Sequence, residues 1–112
     1  CGFPHILNKK LINLCNYGIL NCHAGKLPQY RGGSPLNWQM INGEKYIGIS
    51  VIKINEGIDT GDIVEEQKFR LLKKYNIKDI LEIANRKFPY LVYNSIKKIV
   101  TKKKLKKQNF KY

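Results

Sequence analysis

Apolar residues recur in steps of three and four from Ile77 to Ile99. Ile77, Ile80, Leu81, Ala84, Phe88, Leu91, Val92, Ser95, Ile96 and Ile99 would share one stripe, which predicts a long amphipathic helix. Pro89 falls inside that pattern and predicts a kink or a break into two helices. Upstream the period shortens to two. Tyr46 to Asn55 carries Ile47, Ile49 and Val51 in alternation, and Ile63 to Phe69 alternates at its ends, so two strands are predicted. The short apolar run from Tyr17 to Cys22 predicts a buried strand. Asn8 to Cys15, with Asn8 as its cap, reads as a short helix. Pro35 opens another, which runs to Ile41 and is closed by Asn42-Gly43. His23 to Gly33 and Glu56 to Asp62 are turn-rich loops. Strands alternating with helices predict an α/β sheet. A doubly wound sheet made from these three strands alone would be small and have unpaired edges.

The chain has 112 residues, 43% of them apolar, which suffices for one domain and excludes two. Its aromatic content excludes a disordered chain. Long uncharged runs such as Leu11 to His23 are broken by Asn, Cys and Gly, so neither a membrane span nor a membrane partner is expected. Cys1, Cys15 and Cys22 are odd in number and lack a C-x-x-C spacing. A disulfide framework is therefore not expected, and a reducing, cytoplasmic setting is. The first residue is Cys1 and the only methionine is Met40, so a fragment or a processed product is expected.

Charge divides the chain. Residues 1–72 carry eight basic and six acidic residues, whereas residues 73–112 carry thirteen and two. The net +13 thus belongs mostly to the last forty positions. We read residues 1–100 as the folded part and 101–112 as a Lys-rich tail. The first reading of such a tail is a solvated helix end. The alternative is a basic, non-catalytic module that binds nucleic acid or anionic lipid. Only three arginines occur, and Arg is the preferred reader of phosphates and bases.

Three constellations could carry chemistry. In Asn21-Cys22-His23, strand alternation puts Asn21 and His23 on one face at a strand end, where α/β sheets bind ligands. His23 could move a proton and Asn21 could donate to an oxyanion, or both could merely satisfy backbone groups. In Glu56-Gly57-Ile58-Asp59-Thr60-Gly61-Asp62 a carboxylate in a Gly-bounded loop could orient a histidine, or the loop could be an ordinary turn. Its Asp-Thr-Gly also occurs in aspartic proteases. Those need a glycine segment downstream of the aspartate, and no glycine follows position 61. Lys26 to Gly33, with Lys26, Tyr30, Arg31 and Gly32, is a basic Gly-ended loop suited to an anionic substrate group. No Walker A or G-x-G-x-x-G spacing is present, and no zinc spacing links His5, Cys15, Cys22 and His23, so no metal is expected.

Taken in order, Asn21-Cys-His-Ala-Gly-Lys-Leu-Pro-Gln-Tyr-Arg-Gly32, Pro35-x-x-Trp38, Asn42-Gly-Glu44 and Asp59-Thr-Gly-Asp-Ile63 resemble the N10-formyltetrahydrofolate-dependent formyltransferases. Phe3 to Ile12 resembles the family's folate-side segment more loosely. The resemblance covers residues 1 to about 75 and then, more weakly, the packing helix. It implies a Rossmann-like α/β domain whose opening half is not among these residues, ending here in the long helix and basic tail.

The family's catalytic Asn, His and Asp match Asn21, His23 and Asp59. The resemblance implies that a primary amine attacks the formyl carbon, that Asn21 and protonated His23 stabilise the oxyanion, and that Asp59 sets the state of His23. N10-formyltetrahydrofolate would be the co-substrate, with its pterin near Leu7, Ile12, Glu56, Gly57, Ile58 and Asp59, and no metal would be needed. The family's tRNA members have Ser-Leu-Leu-Pro where this chain has Gly25-Lys26-Leu27-Pro28. That departure looks more like the enzymes acting on nucleotide-linked amino sugars. The basic tail keeps a methionyl-tRNA formyltransferase, with tRNA as partner, as the alternative, and the oligomeric state is left open.

Overall fold

The structure is a computed structural model that describes residues 5–109. Cys1 and Phe3, named above, and residues 110–112 of the Lys-rich tail lie outside them. Six elements follow in order: α1 (Lys9–Ile12), β1 (Leu20–His23), α2 (Pro35–Ile41), β2 (Tyr46–Lys53), β3 (Asp62–Arg70) and α3 (Ile77–Val100).

The three strands form one sheet in the order β1-β2-β3, and both pairings are antiparallel. A doubly wound sheet needs parallel crossovers, and none occurs among the described residues. The central strand β2 is buried along Ile47–Ile52, as its β-branched run demands. Strand β1, expected to be buried, is only half-buried through Leu20, Asn21 and Cys22, because β2 covers one of its edges and the other faces no strand among the described residues.

Helix α3 starts with a reciprocal cap. Asn76 accepts from the Asp79 amide at 3.1 Å, and the Asp79 carboxylate accepts from the Asn76 amide at 2.9 Å. The helix then runs unbroken through Pro89. Proline deletes the hydrogen bond to the Asn85 carbonyl, but Asn85 and Pro89 are both exposed, so water can take that carbonyl. Ile80, Ala84, Phe88, Leu91 and Ser95 form the buried stripe, whereas Ile77, Leu81 and Ile96 are exposed. Ala84, Phe88 and Leu91 pack on Ile49 and Val51, with Leu20, Cys22 and Ala24 beside them. Since alternate residues point to opposite faces, Asn21 and His23 fall on the sheet face away from α3. No helix among the described residues is long and apolar enough to cross a membrane.

The tail is not a solvated helix end. Lys102 takes a left-handed φ of 53°, and the amides of Lys102 and Lys103 donate to Ile99 and Lys98 carbonyls, which turns the chain back. Lys106 then pairs with Ile63 through two backbone hydrogen bonds of 2.9 and 3.1 Å. Lys98, Lys106 and Lys107 meet Glu65, Glu66 and Asp62. Three lysines of the basic segment thus face acids of β3. These exposed or half-exposed pairs stabilise little, yet they reduce the charge available to an external polyanion.

One buried amide joins the elements around the site. Gln39 of α2 is fully buried; its Oε1 accepts from the Gly48 amide at 2.7 Å, and its Nε2 donates to carbonyls of Ala24, Pro35 and Gly48 at 3.1–3.2 Å. Replacing it with Leu strands the Gly48 N–H and several carbonyls without water. Gln39→Leu is expected to cost about 2 kcal/mol, read as a lowered urea midpoint. An unchanged midpoint would show that the amide contributes nothing.

Candidate active site

His23 closes β1 and is 6% exposed. Its backbone is paired with Ser50 in β2, and the two residues that follow it are anchored by buried polar side chains. Gln39 holds the Ala24 carbonyl, and the Ser50 hydroxyl donates to the Gly25 carbonyl at 2.9 Å. The imidazole is gripped at both nitrogens. Its Nε2 lies 2.5 Å from the Tyr30 carbonyl oxygen, and its Nδ1 lies 3.4 Å from Asp59 Oδ2. A carbonyl only accepts, so Nε2 carries a proton, and a second proton placed on Nδ1 is met by the carboxylate.

Topology alone would keep Asp59 away. In the antiparallel pair the end of β2 lies beside Leu20, at the far end of β1 from His23. The 54–61 loop folds back over the strand to close the gap. Asn55 ties the loop, accepting from the Gly57 amide at 3.0 Å and the Thr60 hydroxyl at 2.6 Å. Asp59 has φ 50°, a left-handed conformation that Asp tolerates better than most residues. Its Oδ2 also accepts from the Gly32 amide at 2.9 Å, which ties the carboxylate to the neighbouring loop.

Asn21, His23 and Asp59 line one cleft of about 950 Å³, together with Leu7, Gly32, Gly57 and Ile58. Its size and its mix of apolar walls with a few polar groups suit a small organic ligand. Ile12 and Glu56 stand outside it. Lys26 lines a separate cleft of about 890 Å³ that includes Glu44, Tyr46 and Lys106. The Tyr30 hydroxyl donates to Glu44 at 2.7 Å and accepts from Asn42 at 3.2 Å. The Asn42 contact favours the phenolate, but desolvation and the Glu44 carboxylate outweigh it and raise the pKa, so the phenol stays protonated at neutral pH. Arg31 points at Gln108, whose Oε1 accepts from Nε at 3.0 Å and Nη2 at 2.7 Å.

Burial pushes the Cys22 thiol up, which leaves it a poor nucleophile at neutral pH. Among the described residues no group of three or more His, Cys, Asp or Glu side chains could hold a metal ion. Three supporting residues were not read from the sequence. Gln39 and Ser50 are polar positions in apolar surroundings, a signal that sequence carries. Gln108 lies in a lysine run and carries none.

Comparison with known proteins fits this geometry. Residues 1–89 match the Formyl transferase family. A methionyl-tRNA formyltransferase of Prochlorococcus marinus (strain MIT 9215) is 34% identical over 114 residues, covering 96% of this chain and 35% of the relative. One from Lachnospira eligens is 45% identical over 70 residues, or 62% of this chain and 22% of the relative. Among solved structures, the formyltransferase PseJ of Anoxybacillus kamchatkensis superposes with a TM-score of 0.84 at 19% identity, over 98% of this chain and 58% of that one. The N-formyltransferase of Helicobacter canadensis, solved with folinic acid and dTDP-3-aminofucose, gives 0.75 at 27% identity, over 82% and 35%. The chain therefore spans about a third or less of these curated relatives and up to about three-fifths of these solved chains. With the match running through β1, the 54–61 loop and most of α3, this chain belongs to the formyl transferase family.

Proposed function

We propose that this chain supplies the catalytic side chains for formyl transfer from N10-formyltetrahydrofolate to a primary amine, and that the amine belongs to a nucleotide-linked amino sugar. The observation that carries the reading is the His23–Asp59 pair at 3.4 Å in a cleft that Asn21 also lines.

The residues would act as follows. Leu7, Gly57 and Ile58 offer wall to the folate portion of the co-substrate, which supplies the activated formyl group. Asn21 and the Nε2–H of His23 donate to the formyl oxygen as it gains negative charge, His23 exchanging the Tyr30 carbonyl for it by a small ring rotation. Asp59 holds the imidazole and takes the proton released by the attacking amine. A bond from the amine nitrogen to the formyl carbon forms, the bond from that carbon to the folate nitrogen breaks, and the proton ends on the folate nitrogen.

For the acceptor, the Gly25-Lys26 departure and the sugar N-formyltransferases among the structural neighbours support an amino sugar. The curated relatives support a second reading, methionyl-tRNA. The intact protein should be incubated with N10-formyltetrahydrofolate and either a thymidine-diphosphate amino sugar or methionyl-tRNA. A formyl mass gain on the sugar alone is the expected result. Gain on the methionyl group alone overturns the sugar assignment, and gain on neither overturns the reading.

A further inference from the structure

We propose that Gln108 is a positioning residue that clamps the Asp59 loop to the Arg31 loop and so fixes the carboxylate beside His23. The inference rests on the catalytic reading of Asp59 given above. Gln108 is 6% exposed although lysines precede it and the chain around it is exposed. Its burial follows from register. Lys106 is opposite Ile63 in an antiparallel bridge, so two residues further along the tail Gln108 comes opposite Gly61.

Every hydrogen-bonding position of the Gln108 amide is used. Nε2 donates to the carbonyls of Asp59 at 2.8 Å and Gly61 at 2.7 Å, and Oε1 takes both bonds from Arg31. The amide orientation is forced, because two carbonyls need donors and a guanidinium needs an acceptor. The contacts close a ring through both loops. Gln108 joins Arg31 to the Asp59 backbone, and Gly32, next to Arg31, donates to the Asp59 carboxylate. The ring adds support to the left-handed conformation of Asp59, φ 50°. Gln108 does not line the cleft that holds His23, so it acts through Asp59 rather than on substrate.

The test uses Gln108→Leu, which removes the polar contacts, and Gln108→Glu, which keeps shape and the Arg31 contact but turns a carboxylate oxygen toward two carbonyls. Arg31→Met opens the same ring from the other side, should either variant fail to fold. Hydrogen exchange of the Gly32 amide, which needs no substrate, should accelerate about tenfold or more, while the Ile49 and Val51 amides stay unchanged. In the intact enzyme kcat should fall about 10- to 100-fold with the donor KM little changed. Native protection of the Gly32 amide in both Gln108 variants overturns the clamp. Faster exchange with unchanged kcat overturns the positioning role. If the native enzyme transfers no formyl group, the catalytic reading fails, and the exchange result still decides whether Gln108 holds the loop.

Discussion

Asp59→Asn and His23→Ala are each expected to lower formyl transfer by about 10²- to 10⁴-fold, with donor binding changed little. Asn is the informative replacement at position 59. It accepts φ 50° as readily as Asp and can still receive the Gly32 amide. What it loses is the charge that faces Nδ1 of His23 across 3.4 Å. Asp59→Ala would confound that loss with a slackened loop. His23→Ala removes the other half of the pair and leaves Asp59 with its Gly32 contact. The measurement is kcat and the donor KM for the intact protein, beside a thermal midpoint for each variant. If Asp59→Asn retains full kcat, the carboxylate takes no proton and the site must be read again. A variant that loses donor binding as strongly as turnover would place Asp59 in recognition instead.

The elements with a strong period were legible in the sequence. The long helix and the β-branched β2 stand where hydrophobic spacing puts them, and the Pro35–Ile41 helix stands where its Pro and Asn-Gly boundaries put it. The order of motifs also singles out Asn21, His23 and Asp59, which the structure brings to one cleft. Three things were not legible, each for a physical reason. The antiparallel arrangement was hidden because a buried run of Ile and Val reads alike in either sense of pairing. Pro89 leaves the helix unbroken, since its cost depends on whether the orphaned carbonyl meets water, and that is a property of the fold rather than of the helix. The docking of the tail is not legible because charge dominates its composition. Its docking is set by a backbone turn at Lys102, one strand-like pair at Lys106 and a single buried amide at Gln108. None of these leaves a periodic trace. The polar residues that hold the site's backbone, Gln39 and Ser50, belong to an intermediate class: visible as exceptions in apolar runs, but without partners until the chain is folded.

Gly61→Ala should have the largest effect on stability of the glycine-to-alanine changes among the described residues. A Cβ at that position would lie 1.8 Å from the Lys53 carbonyl oxygen and 2.8 Å from its carbon, both backbone atoms. Lys53 is itself fixed from two sides, opposite Leu20 in β1 and Asp62 in β3. Neither neighbour can give way as the end of a flexible side chain could, so the loop must lift off the sheet. Overpacking of this kind is expected to cost about 3 kcal/mol. The effect spreads to chemistry, because the Gly61 carbonyl accepts from Gln108 and Asp59 lies two residues upstream. Lifting the loop therefore carries the carboxylate away from His23, and kcat should fall together with the urea midpoint. Gly33→Ala is the control for stability: a Cβ there meets nothing within 4 Å, and its φ is not in the left-handed region. Its midpoint should stay within about 0.5 kcal/mol of native. Equal midpoints for the two variants would mean that the 54–61 loop does not press on β2 as described, and the path by which Asp59 reaches His23 would have to differ.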